Sequence, residues 1–186
     1  LGASALLSTV NSYAGDEMNI TPITAEKKAK VELKSLKSID VSIFVTNING
    51  SVLHEETIKS KSSYGRVYDF THLPDGKYTI VSNDDLIKTI SEVQVHKSSV
   101  EVLSNEVEYK PVFSAKEGSL RVNYLNINAE DIKFTIEGQN SVHYESADGN
   151  DVSYQKMLDI SEMLPGDYYA TVEAGDKSYC YYFYVR

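Results

Sequence analysis

The chain has 186 residues, 41 % of them apolar, which suits one medium or two small globular domains and excludes disorder throughout. A formal charge of −9, with no cluster of Lys or Arg, argues against nucleic acid and anionic membrane surfaces as partners, since both reward basic stripes. The single cysteine, Cys180, cannot close an intramolecular disulfide, which is compatible with an exported bacterial protein.

In chain order, residues 1–14 come first and differ from the rest. An apolar stretch, too short to span a bilayer, runs into small residues ending at Ser12-Tyr13-Ala14. That is the pattern signal peptidase reads, so residues 1–14 are expected to be a signal-peptide remnant lacking its basic start. The lysine-rich residues 25–30 can start a short helix and lead into Val31-Glu32-Leu33. From there the apolar period is two. Val41, Ile43 and Val45 alternate with Ser42, Phe44 and Thr46; Tyr78, Ile80 and Ser82 alternate with Thr79 and Val81. Turn signals separate such runs at Asn49-Gly50, Pro74-Asp75-Gly76, Asn83-Asp84-Asp85, Asp148-Gly149-Asn150 and Gly175-Asp176. No window sustains a helical stripe.

The pattern Ser-Tyr-x-basic-apolar-apolar-Asp-apolar occurs at residues 63–70 and again at 153–160, 90 positions later. Gly76 and Tyr78 meet Gly166 and Tyr168 at the same offset, as Val93 and Val95 meet Phe183 and Val185. Upstream the offset is 91: Lys30-Val31 matches Arg121-Val122, and Asp40-Val41 matches Asp131-Ile132. The chain therefore reads as a duplication, residues 15–97 and 98–186, each copy long enough for its own core. The fold class expected is all-β: two tandem Ig-like antiparallel β-sandwich domains. LPDGKY at 73–78 and LPGDY at 164–168 serve that fold. Leu73 is expected to fill the core, Pro74 and Gly76 to turn the chain, and the Tyr78 hydroxyl to reach back to the corner's backbone. Between the copies, residues 97–99 and 114–118 read as loops, while Val100-Glu101-Val102 and Val107-Glu108-Tyr109 alternate like edge strands.

Val41-Ser42-Ile43-Phe44-Val45, the turn at Asn49-Gly50, Val52-Leu53-His54-Glu55 and Leu73-Pro74-Asp75-Gly76-Lys77-Tyr78 together resemble secreted Bacteroidetes β-sandwich modules. Those modules include the C-terminal sorting domains of type IX secretion cargo. The resemblance implies an Ig-like sandwich and an extracytoplasmic home, and it brings no catalytic residues.

Chemistry is sparse. His54, His72, His96 and His143 form no HExxH pair, and a metal reading needs His54 and His143 to converge. There is no Gly-x-Ser-x-Gly elbow and no phosphate-cradling glycine loop. Residues 146–151 are oxygen-rich but lack calcium-loop spacing, and read as a solvated turn. Cys180 reads as a small strand residue; its functional alternatives are a nucleophile or a dimer bridge. No catalytic group, metal or cofactor is expected.

The informative feature is aromatic: 14 Tyr, 5 Phe and no Trp. A two-residue turn at Gly175-Asp176 pairs Ala174 with Lys177, Val172 with Tyr179, Ala170 with Tyr181 and Tyr168 with Phe183. The other face then carries Tyr169 across from Tyr182, with Cys180 and Tyr184 beside them. Copy one offers Thr79, Val81, Ile90, Glu92 and Gln94 there. Tyr169, Tyr182 and Tyr184 are thus the candidate contact residues, unless they pack on the other domain or the N-terminal arm. The function expected is that of an exported, non-enzymatic interaction protein binding a protein partner in the periplasm or at the cell surface. The alternative is a carbohydrate-binding module using the tyrosine face. Neither a nucleic-acid partner nor a membrane span is expected.

Overall fold

Branched and aromatic residues at every second position leave the chain one economical choice, the half-buried strand. The computed structural model describes residues 18–34, 40–59, 63–138 and 141–186; the leader-like residues 1–14 lie outside them. The strands are β1 (Met18–Pro22), β2 (Lys28–Lys34), β3 (Val41–Asn47), β4 (Val52–Ile58), β5 (Ser63–Asp69), β6 (Gly76–Asn83), β7 (Ile87–Val95) and β8 (Val100–Tyr109). They continue as β9 (Val112–Lys116), β10 (Ser119–Leu125), β11 (Ile132–Gly138), β12 (Ser141–Ala147), β13 (Ser153–Asp159), β14 (Gly166–Ala174) and β15 (Lys177–Val185). The described residues contain no helix, so none is long and apolar enough to cross a membrane.

The sheets repeat. One runs β1-β2-β5 and another β9-β10-β13; a third runs β4-β3-β6-β7-β8 and a fourth β12-β11-β14-β15. Each strand from β1 to β7 thus has a counterpart from β9 to β15, and β8 is the extra one. Two compact units result. The first comprises the described residues up to Ser82 with Ile90–Asn105, the second Asn83–Thr89 with Glu106–Arg186.

Each unit has a separate apolar core built from the inward positions of both its sheets. In the first, Val31 and Leu33 meet Ile43, Phe70, Ile80 and Val93. In the second, Leu120 and Val122 meet Phe134, Ile160, Ala170, Val172 and Phe183. Fully burying side chains of this size stabilises by about 1.5–3 kcal/mol each, so the period-two pattern accounts for the layering.

The corner expected at Tyr78 is present twice. The Tyr78 hydroxyl donates to the Pro74 carbonyl at 2.8 Å, and the Tyr168 hydroxyl to the Leu164 carbonyl at 2.9 Å. The core-filling role of the first leucine is not shared, however. Leu73 packs against the first core, whereas Leu164 is 76 % exposed and Met163 packs in its place. Leu-Pro is shifted by one residue relative to the tyrosine in the second copy, so the spatial repeat is Leu73 with Met163. Gly138 enables the second corner: a Cβ there would lie 2.5 Å from the Tyr168 ring.

Two local expectations are corrected. Residues 25–30 do not start a helix. Ala25 takes φ 56° in a tight turn closed by Glu26 N–H to the Ile23 carbonyl, and β2 begins at Lys28. Ser114, Ala115 and Lys116 are not loop but the end of β9, because Phe113 and Ala115 turn inward to the second core while the backbone pairs with β10.

Candidate functional site

The β14–β15 hairpin has the register that its turn dictates. Gly175 takes φ 59° while Asp176 keeps a negative φ, a type II′ arrangement suited to strand twist. Tyr168 therefore pairs with Phe183, Tyr169 with Tyr182, Ala170 with Tyr181 and Val172 with Tyr179. The first member of each pair is buried or faces the core, save Tyr169, which shares the outward face with Tyr182, Tyr184 and Cys180. Tyr169 is 49 % exposed, Tyr182 53 % and Tyr184 55 %.

Tyr169 and Tyr182 lean on each other, ring centroids 5.6 Å apart and tilted by 58°. The Tyr182 hydroxyl donates to Asp167 Oδ1 at 2.5 Å, and that bond raises the Tyr182 pKa. Glu137 pairs across from Tyr169 on β11, and Glu173 lies further along β14. Of the cations near this face, Lys133 is engaged by Glu145 at 3.0 Å, and the exposed Arg186 follows the end of β15. The surface is therefore aromatic and acidic. On the first unit the counterpart positions hold Thr79, Val81, Ile90, Glu92 and Gln94, with a loose Lys77–Glu92 pair at 3.9 Å.

Polar clusters of a different kind bind sheet to sheet at one flank of each unit. On the first, Glu56 from β4 accepts from the hydroxyls of Tyr64 and Tyr68 on β5, both at 2.5 Å, and from Arg66 Nη1 at 2.9 Å. His54 Nε2 stands 3.3 Å away. Burial alone would raise the Glu56 carboxyl; the tyrosine and histidine hydrogen bonds and the Arg66 charge outweigh it and hold the pKa at about 2. Burial and Glu56 push Tyr64 up to about 12, and Tyr68 is raised further by the same causes. On the second unit Asp148, just past β12, takes the same role. It accepts from Lys156 Nζ at 2.6 Å, Tyr154 Oη at 2.7 Å and Ser146 Oγ at 3.0 Å. Lys156 also stands over the Phe134 and Tyr144 rings. Burial opposes the Asp148 charge, but these donors leave its pKa lowered. With their oxygens saturated, Glu56 and Asp148 are suited to clamping β4 to β5 and β12 to β13 rather than to proton transfer.

The histidines are accounted for locally. The larger sheet of each copy has a bulge at the same place, between Val45 and Thr46 and between Ile136 and Glu137. His54 pairs with Val45 and its counterpart is Tyr144, whereas His143 occupies the bulge, where the first copy has Leu53. His143 hydrogen-bonds Ser141 and the Gly138 carbonyl and lies edge-on to Tyr168. It borders a cavity of ≈ 340 Å³ with Leu158, Met163 and Leu164. His96 pairs with Glu101 at 3.5 Å, and His72 is exposed. Among the described residues no three His, Cys, Asp or Glu side chains come together as a metal set. Asp148, which the oxygen-rich turn offers for calcium, is already committed to Lys156.

No family model matches the chain, and no curated protein matches it. Among solved structures it is similar to a chain described as "Biofilm associated protein - BSP domain", at 13 % identity and a TM-score of 0.28. That likeness covers 91 % of this chain, which spans 29 % of the length of the other.

Proposed function

We propose that this chain is an exported, non-enzymatic interaction protein made of two tandem Ig-like sandwiches, with Tyr169, Tyr182 and Tyr184 as its contact face. One observation carries the reading: three half-exposed tyrosines share one face of the second unit, and the duplicated first unit has no counterpart for them. Large aromatic side chains are normally buried, and those kept at the surface serve contacts, since a ring offers area and a hydroxyl offers a hydrogen bond. The export address rests on the leader-like residues 1–14 and on the resemblance to secreted Bacteroidetes sandwich modules. The non-enzymatic reading is supported by the saturation of the shifted groups, Glu56 and Asp148.

A second reading is favoured by a specific contact. Asp167, held by the Tyr182 hydroxyl, presents a fixed acceptor beside two exposed, mutually tilted rings, which is the equipment a sugar needs. Tyr182→Ala tests both. The variant should melt with the wild type, while losing either the capture of a protein partner or signal on a glycan array. A variant that binds everything the wild type binds would remove this face from the account.

A further inference from the structure

We propose that the cavity beside Met163 in the second unit binds a small primary amine carrying one aromatic ring. The ring enters between Leu158 and Met163, and the ammonium meets Asp159 and Glu162 at the rim. Tyr169, Tyr182 and Tyr184 do not line this cavity, so the site stands or falls apart from the contact face.

The cavity of ≈ 340 Å³ grades from apolar to acidic. Ile136, Ile160 and Tyr168 line it from within the second core and so form its floor. Leu158, Met163 and Tyr144 are partly buried and form its walls. Asp159, Glu162 and Leu164 line it from exposed positions and so form its rim. Apolar walls with a few convergent polar groups, at this volume, are the make-up of a small-molecule site. The rim leucine points the same way. The fold uses the Leu164 carbonyl at the tyrosine corner and leaves the side chain in water, where an occupant of the cavity would cover it.

The duplication says what shape is missing. Leu158 and Ile160 are the counterparts of Tyr68 and Phe70, 90 positions earlier. Both of those rings are buried in the first core, Phe70 leaning on Tyr78 with centroids 6.2 Å apart and Tyr68 edge-on to His54 at 5.6 Å. The second copy keeps the corner tyrosine as Tyr168 but sets aliphatic side chains at both ring positions. A free ring entering there regains the tilted aromatic contacts, with Tyr144 and Tyr168 as partners.

The rim selects the charge. Among the described residues the lining holds two carboxylates and no lysine or arginine. Ser161 donates to Asp159 Oδ1 from its Oγ at 2.6 Å and its N–H at 2.9 Å. Those bonds lower the Asp159 pKa and leave Oδ2 for a ligand. His143 is engaged by Ser141 and the Gly138 carbonyl, edge-on to Tyr168. Lys156 stands over the Tyr144 ring, but its charge is met by Asp148. An ammonium thus finds acceptors at the mouth, and a carboxylate ligand finds two of its own kind.

Phenethylamine titrated into the isotopically labelled full chain should give saturable amide shifts by NMR at Ile136, His143, Ile160 and Met163. Phenethyl alcohol, the same shape without the charge, should bind more weakly by roughly fivefold, about what an exposed ion pair supplies. Glu162→Gln should close most of that gap while leaving the alcohol's affinity unchanged. Leu158→Tyr restores the first copy's residue and should abolish binding of both. Because an added ring can overpack a core, Leu164→Ala is the companion variant. It closes no core, so it should melt with the wild type while weakening both ligands severalfold. Equal affinity for the amine and the alcohol overturns the proposal. So does the lack of any saturable shift, or shifts centred on Tyr169 and Tyr182 instead. Binding unchanged in both Leu158→Tyr and Leu164→Ala overturns it as well.

Discussion

The two copies share their strand pairing, their tyrosine corner and their flank clamp, yet they spend exposed surface differently. In the first, β7 is covered by β8, and the outward positions of β6 and β7 hold Thr79, Val81, Ile90, Glu92 and Gln94. In the second, β15 is the last strand of its sheet among the described residues, and its outward positions hold Tyr182 and Tyr184. The inward positions differ in the same sense. Thr89 and Ser91 are buried in β7, where their counterparts Tyr179 and Tyr181 on β15 are large and partly covered, Tyr181 stacking on Phe113. A covered strand can use small polar residues; β15 closes its own flank with rings. The strand pairing and the corner are common to both copies, and the exposed tyrosines belong to the second alone.

The largest test of this comparison concerns the cores. Phe134 is fully buried in the second unit, and Ile43 stands at its place in the first. Phe134→Ala should cost about 3–5 kcal/mol. With two separate cores, denaturant should unfold the variant in two steps, the second unit's β12-β11-β14-β15 amides losing protection from hydrogen exchange first. A single cooperative transition with uniform loss of protection would show that the units share one fate.

The clamps come next. Glu56 titrates at about 2 when folded and near the ordinary 4.5 when unfolded. A depressed folded pKa adds stability above the unfolded value, and that stability drains as pH falls from about 4.5 toward 2. The loss should be on the order of 2 kcal/mol, reduced from the full shift because the site is partly open to solvent. Glu56→Gln should flatten the acid limb of the stability curve in this window, and Asp148→Asn should do the same for the second unit, whose carboxyl is also lowered. An acid limb unchanged by either substitution would mean that the clamps contribute no net stability.

The corners are smaller and should be equal. Tyr78→Phe and Tyr168→Phe each delete one hydroxyl-to-carbonyl bond and keep the ring. Each should cost about 1 kcal/mol, the net worth of a typical intramolecular hydrogen bond. A cost confined to one copy would show that the corner is a folding device in that copy alone.

These features were unequally legible in the amino-acid order. The β14–β15 register could be written down because Gly175-Asp176 pins it and a one-residue slip would turn Phe183 to solvent. The tyrosine corner was legible because its bond is local, four residues back along the chain. The clamps were half legible. Tyr64 and Tyr154, Arg66 and Lys156 recur at the constant offset, but their acid does not: Glu56 sits within β4 and Asp148 just beyond β12. Each acid is reached across the flank, so sequence alignment cannot pair them. The histidines are not counterparts, because they stand 89 positions apart, one short of the constant offset: the counterpart of His54 is Tyr144, and His143 shares the bulge position with Leu53. The apparent Leu-Pro repeat misled because it followed letters; the core followed Leu73 and Met163.

The smallest expected effect on stability is the one with most bearing on function. Tyr182 packs on Tyr169 and holds Asp167, but it closes no core, and its counterpart in the first copy is the exposed Glu92. Tyr182→Glu therefore grafts the first copy's choice onto the second. As a surface substitution it should move folding stability by no more than about 0.5 kcal/mol in either direction. If the face were built to hold the unit together, the same change would cost as much as a lost aromatic pair with its hydrogen bond, about 1–2 kcal/mol. A thermal melt of Tyr182→Glu beside Glu92→Tyr separates the two. Near-neutral shifts in both variants mean that the tyrosines were placed for something outside the fold, and a large loss confined to Tyr182→Glu means that they were not.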